Sequence, residues 1–232
     1  MADPAKPLAL VTGVGPGTGT ATVRRFVEGG YRVAMLARNA ARLEALARQI
    51  PDTIAVPCDV SDPEALARAI NRTGAPKVVI HNAVGGAFGT FDQIEAATLA
   101  RNFEINAMAL FHLARLTAPA MVEAGEGTLL VTGNGSSQRG KAAFAGFAPT
   151  KAAQRILAES LARDLGPKGV HVAYLIIDAA IDVPWQRELQ PNKPDDFFIS
   201  PASIAAELFH LAHQTRDAWS FLAEIRPFHE PW

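Results

Sequence analysis

The chain has 232 residues, of which 49% are hydrophobic and 19% are charged, and its formal net charge at pH 7 is −1. This length and composition predict one globular domain with a full hydrophobic core, and the near-neutral charge argues against nucleic acid or an anionic membrane as a partner. The single cysteine, Cys58, excludes an internal disulfide. No apolar run approaches the roughly 18 residues of a membrane span and no secretory leader begins the chain, so we expect a cytoplasmic protein.

Short apolar runs rich in β-branched residues alternate along the chain with stretches of helical periodicity. Strands are predicted at 8–13, 32–37, 53–59, 77–83, 128–133 and 170–177, with a short last strand within 219–225. Helices are predicted at 20–30, 40–50, 61–70 (capped by Ser61), 92–124 (one helix or two abutting ones), 145–165 and 201–214. This alternation indicates the α/β class: one doubly wound (Rossmann) domain over 1–232, with a parallel sheet flanked by helices.

The segment 178–200 interrupts this alternation. It contains three prolines and no strong period, and it carries the apolar side chains Trp185, Phe197 and Phe198. Long excursions of this kind over the end of a sheet are often lids. We therefore predict that 178–200 covers a substrate or cofactor site.

A glycine-rich loop follows the first predicted strand. Gly13, Gly17 and Gly19, with Thr18 among them, lie where that strand passes into a helix. A diphosphate approaches main chain only where no Cβ intervenes, and a helix N-terminus offers free N–H groups to it. The loop therefore predicts nucleotide binding, the alternative being an ordinary turn.

The end of the second strand bears on the choice of nucleotide. An acidic residue there would bind a free ribose 2′-hydroxyl, but the chain has Ala37 followed by Arg38. A guanidinium group suits a 2′-phosphate, and Arg42 one helical turn later is placed to assist. NADP(H) is thus favoured over NAD(H), the alternative being that both arginines are simply solvated.

The spacing Thr-Gly-x-x-x-Gly-x-Gly at 12–19 resembles that of the short-chain dehydrogenase/reductase family, and the resemblance extends over nearly the whole chain. It implies that Lys151 binds the nicotinamide ribose and that Asn106 holds a water of the proton relay. It also implies a small-molecule substrate and a homodimer or homotetramer that buries the helices at 92–124 and 145–165. Further cofactor contacts are implied for Asp59, Val60, Asn82, Ala83 and Ile181.

The proton-transfer part of the family pattern is altered. Phe147 stands where the family has its catalytic tyrosine, four residues before Lys151, and Asn134 stands at the serine position. Phe144, at a variant tyrosine position, and Val183, at a threonine position near the nicotinamide, also lack a hydroxyl.

Three further titratable groups are candidates for a replacement proton donor. Asp178 and Asp182 flank the expected nicotinamide pocket, and His81, which could titrate near neutral pH, follows the fourth strand. The two tyrosines, Tyr31 and Tyr174, are predicted to be structural. We predict no metal site, because the histidine pair in "HLAH" (210–213) lacks further ligands.

Two functions remain open. The first is an NADP(H)-dependent oxidoreductase with altered proton transfer that acts on a small carbonyl, enone or imine. The second is a catalytically inactive NADP(H)-binding sensor or partner subunit. A scaffold without nucleotide ranks last, because it leaves the glycine loop and Arg38 unexplained.

Overall fold

A computed structural model describes residues 2–229. The strands in this part of the chain are β1 (Leu8–Thr12), β2 (Arg32–Ala37), β3 (Thr53–Pro57), β4 (Val78–His81), β5 (Gly127–Asn134), β6 (Val170–Ile177), β7 (Ala180–Ile181), β8 (Phe198–Ile199) and β9 (Leu222–Ile225). The α-helices are α1 (Thr18–Glu28), α2 (Ala40–Gln49), α3 (Pro63–Thr73), α4 (Ala96–Phe103), α5 (Ala109–Ala124), α6 (Ala148–Leu165), α7 (Pro184–Leu189) and α8 (Pro201–Ala212). Short 3-10 turns cover Gly135–Ser137, Gly166–Lys168 and Asp195–Phe197.

Seven strands form one parallel sheet in the order β3-β2-β1-β4-β5-β6-β9. In the register, Leu10 of β1 lies between Ala34 of β2 and Val79 of β4. The strand order reverses between β1 and β4, so the loops that follow these two strands diverge and leave a crevice. The predicted doubly wound α/β fold is confirmed.

Each face of the sheet carries its own apolar cluster, because successive strand residues point to opposite faces. Leu10 packs with Leu110 of α5 on one face. The next residue, Val11, packs with Phe26 of α1 and Leu208 of α8 on the other. The strands are therefore apolar on both faces, as the near-continuous hydrophobic runs predicted.

Helices α3 and α6 begin later than predicted. The N-cap of α3 is Asp62, which accepts hydrogen bonds from the N–H groups of Glu64 and Ala65, so the expectation that Ser61 caps this helix is wrong. The Ser61 hydroxyl donates instead to Asp59, at 2.7 Å. Helix α6 begins at Ala148 rather than at 145, with Phe147 at its N-cap.

The predicted helix over 92–124 consists of α4 and α5 joined by a π-helical turn, Glu104–Met108. By length and composition alone, the continuous stretch Ala96–Ala124 could cross a membrane. This differs from the expectation that no apolar segment reaches that size. Half of its most apolar part is buried inside the protein, and core helices of globular proteins commonly have this length and composition. Asn106 lies in the π-helical turn, and such turns are frequent at functional sites.

The segment 178–200 contains more regular structure than its sequence suggested. Strands β7 and β8 pair in parallel, with Ala180 opposite Phe198, and α7 lies between them. Arg187 of α7 forms ion pairs with Asp182, at 2.5 Å, and with Asp195, at 2.6 Å. These contacts tie both ends of the segment to its central helix.

Candidate nucleotide site

A cavity of about 520 Å³ lies beyond the carboxyl ends of β1, β2, β3 and β4. Nine of the eleven residues predicted to bind a cofactor line it: Gly13, Thr18, Gly19, Arg38, Asp59, Val60, Asn82, Ala83 and Ile181. Gly17 lines a neighbouring, more open cavity of about 560 Å³. Lys151 lines neither, although the resemblance placed it against the nicotinamide ribose. The cavity is also lined by Asn39, Val84 and Ile105, which no sequence signal had singled out.

The glycines of the loop leave no room for side chains. A Cβ on Gly13 would lie 2.5 Å from the Ala83 Cα, and one on Gly19 would lie 2.6 Å from the Gly13 carbonyl oxygen. Gly13 also has a φ of +68°, in the region that favours glycine. The loop thus brings bare main chain to the start of α1, where a diphosphate could approach it closely.

Thr18, the first residue of α1, provides a second indication of an anion site. Its hydroxyl oxygen is buried and has no hydrogen-bond partner among residues 2–229. The N-cap residue Gly17 offers no side-chain acceptor to the first turn. An orphaned hydroxyl beside uncapped N–H groups fits a diphosphate in this position.

Two guanidinium groups lie at the α2 end of the cavity. Arg38 and Arg42 are both exposed, and neither forms an ion pair with any residue in the described range 2–229. Asn39 caps α2 by accepting a hydrogen bond from the Arg42 N–H, at 2.9 Å, which places Arg42 in the first turn facing the cavity. This end of the cavity therefore suits a phosphate group.

Among residues 2–229, Asp59 is the one acidic residue that lines the cavity, and its carboxylate is already engaged. It accepts hydrogen bonds from the Ser61 N–H and hydroxyl and pairs with Arg101, at 2.6 Å. Burial alone would raise the pKa of Asp59, but the Ser61 hydrogen bonds and Arg101 lower it below its ordinary value. Asp59 therefore stays ionised, and its charge is balanced by Arg101 rather than directed at the two arginines near α2.

The loops that follow β1 and β4 are tied together. Thr12 Oγ1 accepts from the N–H groups of Asn82 and Ala83, at 3.1 and 3.2 Å, and Asn82 Nδ2 donates to the Gly13 carbonyl, at 3.0 Å. This network fixes the cavity floor between the two diverging strands.

His81, at the end of β4, is fully buried, and its Nδ1 lies 3.1 Å from Thr12 Oγ1. Burial, and secondarily the nearby Lys151 charge, lower the pKa of His81 to about 4. The imidazole is therefore neutral at physiological pH, and the expectation that it could titrate near pH 7 is wrong.

Phe147 and Asn134, assigned to the altered tyrosine and serine positions, lie outside the cavity lining, whereas Val183, at the threonine position, lines it. Phe147 is 8% exposed, and its ring centroid lies 5.4 Å from that of Phe88 and 6.4 Å from that of Phe144. Asn134 Nδ2 donates to the Ile177 carbonyl, and its Oδ1 accepts from the Ser136 N–H. An aromatic cluster of Phe88, Phe144 and Phe147 thus occupies the region where proton donation was expected.

Lys151 is almost completely buried, at 2% exposure. Its ammonium group donates to the Thr132 carbonyl, at 2.9 Å, and to Oε1 of Gln154. Burial lowers the pKa of Lys151 to about 7. Sequence reasoning missed Gln154, although a polar residue three positions after a lysine on a predicted buried helix face is a signal that could have identified it.

The two aspartates considered as replacement acids are both ion-paired. Asp178 pairs with Arg139, at 2.9 Å, and with Arg226, at 3.4 Å. The hydrogen bond from Arg187 lowers the pKa of Asp182 below its ordinary value. Proton donation by Asp182 near neutral pH is therefore disfavoured, and the Asp178 carboxylate is committed to two guanidinium groups.

The two tyrosines are held within the fold, as predicted. Tyr31 is buried, and its hydroxyl lies 3.1 Å from His213 Nε2. Tyr174 is completely buried on β6. Neither residue lines the cavity, so neither offers its hydroxyl to a ligand there. Across residues 2–229, no three His, Cys, Asp or Glu side chains are grouped so that they could hold a metal ion.

Comparison with known proteins identifies the family to which this architecture belongs. The family model for short chain dehydrogenases matches residues 7–193. D-erythrulose reductase from Gallus gallus is 32% identical over 165 residues, covering 71% of this chain and 67% of the relative. A short-chain dehydrogenase from Rhodopseudomonas palustris superposes with a TM-score of 0.83 at 28% identity, covering 97% of this chain and 100% of the other. A metagenomic short-chain oxidoreductase in complex with NADP gives a TM-score of 0.82 at 25% identity, covering 95% and 97%.

The chain therefore belongs to the short-chain dehydrogenase family, whose members are oxidoreductases that bind nicotinamide cofactors. The glycine loop, the orphaned Thr18 hydroxyl and the cavity at the strand ends all fit such a cofactor.

Proposed function

We propose that this protein is an NADP(H)-dependent oxidoreductase of the short-chain type that acts on a small carbonyl, enone or imine by an altered route of proton transfer. The observation that carries the proposal is the cavity itself. It combines a diphosphate cradle at the start of α1 with two arginines, Arg38 and Arg42, that have no ion-pair partner within residues 2–229 and lie at the α2 end of the lining. When bound, NADPH supplies the hydride.

In this proposal the chain binds and orients the cofactor along the cavity. The N–H groups of the glycine loop and the Thr18 hydroxyl hold the diphosphate, and Arg38 and Arg42 bind the 2′-phosphate. Asp59 and Val60, which line the cavity, would contact the adenine. Ile181 and Val183 line the cavity from the segment 178–200, and Trp185 lines it from α7, so that this segment shields the nicotinamide end from water.

Proton delivery is the step in which this protein departs from its family. We assign Phe147 to the tyrosine position and Asn134 to the serine position, and neither side chain carries an acidic hydroxyl. Loss of a general acid costs a typical enzyme about 10²–10⁴-fold in rate. Substrates whose reduction needs little acid assistance, or is completed by water, are therefore favoured.

The second candidate is an inactive NADP(H)-binding sensor or partner subunit. It is favoured by the aromatic cluster around Phe147 and by Lys151, whose ammonium group is directed at interior oxygens.

In either case we propose a homodimer or homotetramer. Met108, Phe111 and Leu116, along the π-helical turn and α5, and Ile156 on α6 expose apolar surface that an interface would bury.

Turnover separates the two candidates. A panel of carbonyls, enones and imines is incubated with NADPH, and cofactor oxidation is followed by absorbance. The oxidoreductase proposal expects turnover with at least one class. NADPH binding without consumption across the panel would favour the sensor or partner subunit.

A further inference from the structure

Gln154 lies one helical turn after Lys151 on α6 and is completely buried. Besides a 3.4 Å contact from the Tyr174 hydroxyl to Oε1, its carboxamide makes two hydrogen bonds. Its Oε1 accepts a hydrogen bond from Lys151 Nζ, and its Nε2 donates to the Asn106 carbonyl, at 2.8 Å. Gln154 therefore bridges the lysine ammonium group and the π-helical turn.

Asn106 is in turn held against the loop that follows β4. Its Oδ1 accepts from the Gly85 N–H, at 3.0 Å, and its Nδ2 donates to the Gly85 carbonyl and to Thr150 Oγ1, both at 2.8 Å. Gly85 directly follows Val84, which lines the nucleotide cavity. A continuous series of hydrogen bonds thus runs from the edge of the cavity through Asn106 and Gln154 to Lys151.

The Lys151 ammonium group has no carboxylate partner within residues 2–229. Its two acceptors, the Thr132 carbonyl and the Gln154 amide oxygen, are both neutral. The titratable groups packed around it are His81 from β4 and Tyr174 from β6, whose hydroxyl lies 3.4 Å from Gln154 Oε1. A buried cation without a counter-charge depends strongly on each neutral acceptor that it has.

We propose that Gln154 is a positioning residue for Lys151, which holds the ammonium group against β5 and couples its charge to the π-helical turn at Asn106. The proposal stands independently of the proposed function, because Lys151 lines neither cavity and its contacts lie inside the fold. Because burial brings the pKa of Lys151 to about 7, a change at Gln154 would shift Lys151 between its charged and neutral forms at working pH.

The test follows the titration of Lys151 directly. The chain contains six lysines, so protein labelled with ¹⁵N-lysine gives a small set of Nζ resonances, and the signal absent from Lys151→Met assigns Lys151. Gln154→Met keeps the side-chain volume but removes the acceptor, and we expect it to lower the Lys151 pKa by roughly one to two units. Gln154→Glu places a carboxylate beside the ammonium group, and we expect it to raise the pKa by roughly one to three units.

Tyr174→Phe is the matched control, because it removes a hydroxyl that donates to Gln154 Oε1 and to the Lys151 carbonyl rather than contacting the ammonium group. We expect the Lys151 titration to stay close to that of the wild type in this variant. If Gln154→Met fails to fold, Gln154→Glu still tests the proposal. A Lys151 titration that is the same in the wild type and in the folded Gln154 variants would overturn the positioning role.

NADPH binding, measured on the same samples, separates this inference from the proposed function. The expected shifts without any NADPH binding would contradict the proposed function alone. Intact NADPH binding with an unmoved Lys151 titration would contradict the role of Gln154 alone.

Discussion

Arg38 and Arg42 present two guanidinium groups to one end of the cavity, and neither is neutralised by a carboxylate in the described part of the chain. A charge-assisted contact to a 2′-phosphate is the interaction that distinguishes NADP(H) from NAD(H). The proposed preference for NADPH therefore depends on these two side chains.

We expect Arg38→Ala to weaken NADPH binding by roughly 10–100-fold, because one charge-assisted hydrogen-bonding group is lost, and to leave NADH binding little changed. Dissociation constants for both nucleotides are measured by fluorescence. Arg48→Ala is the matched control, since Arg48 is exposed on α2 but does not line the cavity. Equal weakening of both nucleotides by Arg38→Ala would contradict the assignment.

Phe147→Tyr is expected to give a small gain in carbonyl reduction, well below the ~10²–10⁴-fold of a complete general acid. The gain stays small because Asn134 and Val183 still lack hydroxyls and because the ring is packed against Phe88. NADPH oxidation is compared with that of Phe144→Tyr, which adds a hydroxyl to the neighbouring ring. If Phe147→Tyr binds NADPH but gains no activity, Phe147 does not occupy the proton-donor position.

The glycine loop is the element on which the proposed nucleotide binding depends. Gly13 combines a positive φ with close contact to the main chain at Ala83, whereas Gly30 has a positive φ of 89° and a Cβ there would meet nothing within 4 Å. Substitutions at the two glycines therefore separate the effect of a steric clash from that of backbone strain.

We expect Gly13→Ala to lower the free energy of unfolding by about 1–3 kcal/mol more than Gly30→Ala, because only the former forces a Cβ against main chain. Urea unfolding of both variants measures the difference. Equal losses would show that the loop after β1 can move away from β4, contrary to the tight packing of these two loops.

The segment 178–200 depends on Arg187, which pairs with Asp182 and Asp195 and stacks on Phe198 with its Cζ 4.7 Å from the ring centroid. We expect Arg187→Ala to accelerate amide hydrogen exchange across 183–198 and to leave exchange in β1 to β6 unchanged. Lys193→Ala is the control, because within residues 2–229 Lys193 stacks on Phe197 and forms no ion pair. Unchanged exchange across 183–198 would refute this anchoring role.

Local patterns were sufficient to predict the six main strands and the α/β order. Buried parallel strands are near-continuous runs of apolar residues, and glycine and proline mark their ends. The π-helical turn at Glu104–Met108 was not predictable, because Asn106 is held there by Gly85 and Thr150, which are distant in sequence. Nine of the eleven residues predicted to bind a cofactor lie together in the cavity lining. The interior position of Lys151 was not predictable, because it depends on the tertiary contacts of Gln154 and Thr132.

At the scale of the whole molecule, two titratable residues, Lys151 and His81, lie in the interior. Neither has a carboxylate partner within residues 2–229. Burial lowers the pKa of Lys151 from 10.5 to about 7 and that of His81 from 6.5 to about 4. At any pH between its folded and unfolded pKa values, each group binds more protons in the unfolded chain than in the folded chain. Acidification across either of these pH ranges therefore destabilises the fold.

We therefore expect the Lys151 contribution to the free energy of unfolding to rise as pH increases from about 7 to 10.5, with a slope approaching ~1.4 kcal/mol per pH unit. Urea unfolding of the wild type and of Lys151→Met across this range isolates the contribution. The wild type should gain stability relative to the variant as pH rises. Parallel curves would mean that Lys151 titrates normally in the folded state.

The central claim, that this member of the short-chain dehydrogenase family binds NADP(H) in the cavity beside Arg38, is tested most directly by fluorescence titration of the purified protein with NADPH and, in parallel, with NADH. We expect micromolar binding of NADPH and binding of NADH at least about tenfold weaker, as one charge-assisted contact predicts. Failure to bind either nucleotide, or equal affinity for both, would contradict the claim.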